Sequence, residues 1–114
     1  MKRIDAIIQE DKLDVVTDAL KEIGITGITI TQSRGIGTGE RPVLRGSRGT
    51  AKFVAMYNRL DVIMTVVDDS KVGRVVKAIM DSAHTGTAGD GKIFVSNVDE
   101  AFDIATKQSG THIL

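Results

Sequence analysis

Thr85-Gly86-Thr87-Ala88-Gly89-Asp90-Gly91-Lys92-Ile93-Phe94-Val95 is the stretch that decides the fold, because a helix hands over to a strand within it. Upstream, Val72, Val75, Val76, Ile79, Met80 and Ala83 recur at helical spacing and mark one apolar stripe. Gly86 is suited to the C′ position that ends such a helix. Downstream, Lys92 to Val95 reads as a strand. The glycines between them fit two readings. One is a tight connection with a turn at Asp90-Gly91. The other is an anion cradle, since Gly89 and Gly91 tolerate positive φ and let backbone N–H groups converge, with Lys92 adding a point charge. The spacing is not that of the GxxxxGK[ST] phosphate loop.

Working outward, Asp61 to Val67 is a β-branched run, apolar at nearly every position, and reads as a buried strand. Asp68, Asp69 and Ser70 supply N-cap candidates for the helix that follows. At the start of the chain, Ile4, Ala6 and Ile8 alternate with Arg3, Asp5 and Ile7, which predicts a first strand. Asp11 is a plausible N-cap, and Leu13, Val16, Leu20 and Ile23 repeat at helical spacing until Gly24. Ile25 to Arg34 is rich in Ile and Thr and predicts a second strand. Val98 to Ala105 suggests a short extension of the last strand, and the tail 106–114 is polar and expected to be mobile.

The order is β-α-β-β-α-β. It predicts an α+β fold of ferredoxin-like type, with both helices on one face of an antiparallel sheet. That architecture hosts many functions and implies none. Ile7, Ile63 and Val67 are expected on the sheet's other face, where a monomer would leave them in water, so a homo-oligomer is predicted.

Between residues 35 and 57 the periodicity fails. A long loop of this kind inside a compact domain tends to be functional. It holds Arg41, Arg45, Arg48 and Lys52 against Glu40 alone, which suits docking to a partner or an anion.

Composition narrows the function. The 114 residues fit one domain, residues 1–114. Fifteen basic residues balance fifteen acidic ones, so bulk charge draws the chain neither to nucleic acid nor to an anionic membrane. Thiolate chemistry and disulfides are excluded by the absence of cysteine. No apolar run approaches the roughly 20 residues that span a bilayer, and Met1-Lys2-Arg3 runs straight into a strand pattern, so a soluble cytoplasmic protein is expected. His84 and His112 are isolated and predict no metal site. His84 suits the dipole at a helix C-terminus. No nucleophile, base and orienter set is present, so catalysis is not expected. Few aromatics fall where an RNA-binding sheet needs them.

Residues 85–95, together with Met1 to Ile8, Gly24 to Thr31 and Val66 to Asp69, resemble the PII nitrogen-regulatory signal-transduction proteins, and the similarity covers nearly the whole chain. The resemblance implies a non-enzymatic homotrimer with ATP or ADP, and Mg²⁺, in clefts between subunits. It implies 2-oxoglutarate as a second ligand in many members. It also implies a long loop (35–57) that docks to an ammonium transporter or a nitrogen-metabolism enzyme, so that any membrane contact runs through the transporter.

By the same resemblance Gly89, Asp90, Gly91 and Lys92 would hold phosphates, with Thr85 and Gly86 nearby. Thr29 would lie close to the adenine, and Gly35, Gly37 and Thr38 would begin the loop that closes over the site. Gly39, Arg41 and Arg59 fall in the effector region, and Arg41, Arg45 and Arg48 in the docking loop. The chain departs from the family pattern at three places. Thr38-Gly39-Glu40-Arg41 replaces a family glutamine, Arg59-Leu60 replaces a lysine, and Asp103 and Ala105 replace two tail arginines. The rival class is another trimeric ferredoxin-like sensor of small molecules or metals without a 2-oxoglutarate response.

Overall fold

A computed structural model describes residues 1–37 and 57–114, with the backbone pairing of 43–45 and 52–54. Strand β1 (Lys2–Gln9) leads through a 3-10 turn into helix α1 (Leu13–Glu22), followed by β2 (Thr29–Gly35). A small antiparallel pair, β3 (Val43–Arg45) with β4 (Lys52–Val54), lies inside the region read as a loop. Three-residue strands are too short to print a period-2 pattern, which is why the sequence did not reveal them. Then come β5 (Asn58–Val67), α2 (Val72–Ala83) and β6 (Gly91–Asn97).

The four long strands form one sheet in the order β2-β5-β1-β6, every pair antiparallel. Both helices bear on the face that carries Ile4, Ala6 and Ile8. Those side chains, with Val16 and Leu20 of α1 and Val75, Ile79 and Ala83 of α2, make the core. This is the ferredoxin-like α+β arrangement. No helix among the described residues is long and apolar enough to cross a membrane.

Several expectations need correction. Ile63 and Val67 belong to the helix-covered face, at 1% and 4% exposure, because Ala6 pairs with Ile63 and Lys2 with Val67. The open face instead carries Ile7, Leu60, Val62, Met64 and Val66, all half-buried, and Phe94, which is exposed. The second strand begins at Thr29, not Ile25. Gly24 takes φ 85°, the Ile25 amide donates to the Leu20 carbonyl at 2.9 Å, and the Ile25 side chain plugs the core.

Asp11 caps no helix, since a 3-10 turn over Glu10–Lys12 precedes α1 and Lys12 occupies the cap position. Nor do Asp68, Asp69 or Ser70 cap α2, whose cap position is Lys71; Asp68 caps the 3-10 turn Asp69–Lys71 that precedes it, accepting from the Ser70 amide at 3.1 Å. Val98 to Ala105 adds no strand, only a single bridge between Phe102 and Ser109.

The tail has a defined geometry. The Asp103 carboxylate accepts from the Ala105 amide at 2.8 Å, and the Asp103 amide donates to the Gln108 carbonyl at 2.8 Å. The two positions that depart from the family's arginines therefore lie within one tight turn.

Candidate functional site

The antiparallel register brings the end of β2 and the start of β6, the two outer strands, to the same end of the open face. There a cavity of about 420 Å³ is lined by Gly35 and Gly37 on one side and Gly89, Gly91 and Lys92 on the other. Its floor comes from Ile7, Leu60 and Phe94, and Gln9 and Asn58 add amides. That volume lies within the usual range for small-molecule sites. Five of the residues named from sequence thus converge.

The Gly-rich loop is held by its own aspartate. The Asp90 carboxylate accepts from the Thr85 amide at 2.7 Å, from the Gly86 amide at 3.0 Å and from the Thr85 hydroxyl. Hydrogen bonds to the charged form favour it. The Thr85 hydroxyl first, then the Thr85 amide, hold the Asp90 carboxyl down to about 2. The His84 ring stands 3.8 Å from the same carboxylate. Asp90 therefore shapes the loop from within, and Thr85 and Gly86 point their donors at it. None of Thr85, Gly86 and Asp90 lines the cavity.

Gly91 is required on two counts. Its φ is 113°, and a Cβ built there would stand 1.8 Å from the Ile7 carbonyl oxygen. Glycine lets β6 press against β1 at the point where the loop joins the sheet. Gly89 also has positive φ, at 96°. Its carbonyl accepts from the Gln9 side chain, which ties the loop to the end of β1.

Other predicted residues lie elsewhere. Thr29 sits at the far end of β2, six residues and about 20 Å along the strand from Gly35. Within one chain it cannot reach the cavity. Arg59 lies on the opposite face from Leu60, as strand alternation demands, and lines a separate groove with Arg34. Arg59, placed in the effector region by the resemblance, does not line the cavity; its neighbour Leu60 does. Thr38, Gly39, Arg41 and Arg48 lie outside the described residues. Arg45 ends β3, where only its backbone is described.

Gln9, Leu60 and Asn58 were missed by sequence reasoning. Nothing in their own neighbourhood marks them. Only the register of β1 with β5 and β6, which pairs Gln9 with Leu60 and Ile7 with Lys92, places them there.

Comparison with known proteins shows the family. A family profile described as nitrogen regulatory protein P-II matches residues 1–108. The proteins named nitrogen regulatory protein P-II of Azospirillum brasilense and of Bradyrhizobium diazoefficiens are each 44% identical over 112 residues, covering 96% of both chains. That of Haemophilus influenzae is 43% identical over 108 residues, covering 93% of both. With the sheet order, the glycine-rich turn and similarity along almost its full length in agreement, the chain belongs to the nitrogen regulatory protein P-II family.

Proposed function

We propose that the protein is a non-enzymatic regulator of nitrogen metabolism that binds ATP or ADP and relays occupancy to its long loop. The observation that carries this reading is the cavity joining Gly35 and Gly37, at the root of the loop, to Gly89, Gly91 and Lys92. A phosphate seated against Lys92 would touch both the glycine turn and the chain entering residues 38–56. Lys92 and the side-chain amides of Gln9 and Asn58 suit such a group, with Mg²⁺ sharing the phosphate charge.

Thr29 and the open sheet face complete the proposal. Because Thr29 is remote from the cavity of its own chain, its role at the adenine requires a second copy. A homotrimer packed through Val62, Met64 and neighbours would supply it. Only a difference in nucleotide affinity between loop conformations can drive the switch. The partner is an ammonium transporter or a nitrogen-metabolism enzyme, docked through Arg41, Arg45 or Arg48, and the setting is the cytoplasm.

A second reading follows from Leu60. An apolar side chain where a dicarboxylate would need a cation favours an adenylate sensor without a 2-oxoglutarate response. Calorimetric titration with ATP, ADP and AMP in Mg²⁺, with and without 2-oxoglutarate, tests both. Binding that Lys92→Ala weakens without changing particle mass supports the nucleotide site. Affinity raised by 2-oxoglutarate overturns the second reading, and no nucleotide binding at all overturns the first.

A further inference from the structure

Where β2 pairs with β5, away from that cavity, lies a groove of about 470 Å³ that the nucleotide reading does not use. It is lined by Glu10, Gln32, Ser33, Arg34 and Arg59. Arg34 and Arg59 are direct cross-strand partners in the β2–β5 register. Like charges placed directly opposite on an antiparallel pair are unfavourable. An oxyanion held between the two guanidiniums would remove that repulsion.

Arg34 is also oriented in advance. Its guanidinium carbon lies 5.5 Å from the centre of the Tyr57 ring, within the range of a cation–π contact. A guanidinium fixed before binding loses less freedom when a carboxylate arrives.

The remaining lining is not that of a bare anion site. Glu10 contributes a carboxylate to the same groove. Two cations beside one carboxylate complement a ligand that carries both signs. Gln32 and Ser33 add neutral donors and acceptors.

We infer that this groove binds a small α-amino acid, its carboxylate on Arg34 and Arg59 and its ammonium on Glu10. The position gives such a ligand a consequence. Arg34 directly precedes Gly35, and Arg59 directly precedes Leu60, and both Gly35 and Leu60 line the cavity on the open face. A ligand that clamps Arg34 to Arg59 fixes the strand pair on which the long loop is mounted. The two pockets would then be coupled through two strands.

The test is calorimetric titration of the full chain, without nucleotide, using L-glutamine, L-glutamate, L-alanine and L-arginine, with glutarate as a ligand that lacks the ammonium. Saturable binding of at least one amino acid is expected, at least tenfold tighter than glutarate. Arg59→Ala should weaken it tenfold or more. Glu10→Gln should weaken the amino acid at least fivefold while leaving glutarate unchanged or tighter. ATP titration of the Arg59→Ala variant separates this inference from the nucleotide reading, since the nucleotide cavity keeps all its lining residues. No saturable binding by any of the four amino acids overturns the inference. So does glutarate binding as tightly as L-glutamate, or wild-type affinity in both variants.

Discussion

The Asp90 carboxylate and the Thr85 amide, 2.7 Å apart, close the glycine-rich turn from inside. A negative charge thus organises the segment proposed to meet phosphate, and the charge is already engaged by donors of the loop itself.

That engagement predicts an acid-sensitive component of stability. The carboxyl of Asp90 sits near 2 in the folded chain and near an ordinary 3.9 when unfolded. A folded-state value below the unfolded one gives stabilisation that is present above about pH 4 and lost as pH falls toward 2. Chemical denaturation between pH 2 and 6 should show this loss, and Asp90→Asn should remove that part of the slope. An identical pH profile in the variant would show that the carboxylate does not stabilise the turn.

Two glycines should respond in opposite directions to the same change. Gly91→Ala drives a Cβ into the Ile7 carbonyl at a positive φ, and should destabilise by about 3 kcal/mol or more. Gly73 lies in α2 with open space where a Cβ would project and no positive φ. Gly73→Ala should stabilise by about 0.5 kcal/mol. Urea denaturation of both variants checks the pair.

Neighbouring positions on β5 should separate folding from assembly. Ile63→Ala opens a cavity under the helices and should cost about 2–5 kcal/mol in monomer stability. Val62→Asp, one residue away on the open face, should leave the far-ultraviolet circular dichroism unchanged and yield monomers by sedimentation velocity. If Val62→Asp kept the wild-type mass, the subunit interface would lie elsewhere.

Asp103 should govern the tail turn. Its carboxylate accepts from the Ala105 and Thr106 amides at 2.8 and 3.4 Å. Asp103→Ala should speed hydrogen exchange at both amides about fivefold, matching about 1 kcal/mol for a lost cap-like contact. Unchanged exchange would mean that the Phe102–Ser109 bridge alone holds the turn.

Much of the fold was readable beforehand. The α2 stripe, the alternation of Ile4, Ala6 and Ile8, and the glycine turn each carry a local signal that tertiary structure did not override. β5 was different. Val62, Ile63, Met64, Val66 and Val67 are apolar whichever face they occupy, so alternation cannot set the phase, and only pairing with β1 decides that Ile63 is inside. The cavity was half legible for the same reason. Its glycines announce themselves, whereas Gln9 and Leu60 owe their place to partners more than fifty residues away.

β1 lies between β5 and β6 and hydrogen-bonds to both along its length. The first strand to leave the ribosome therefore waits for half the chain before β5 is made, and for its other neighbour, β6, until near the end of synthesis. Loop closure over such separations slows folding, and until β6 arrives the nascent chain carries Ile4, Ala6 and Ile8 in an incomplete sheet. The strand that roots the glycine turn is thus the one with the longest exposure to misassociation. Substitutions there should show first as lost yield, before any change in ligand affinity.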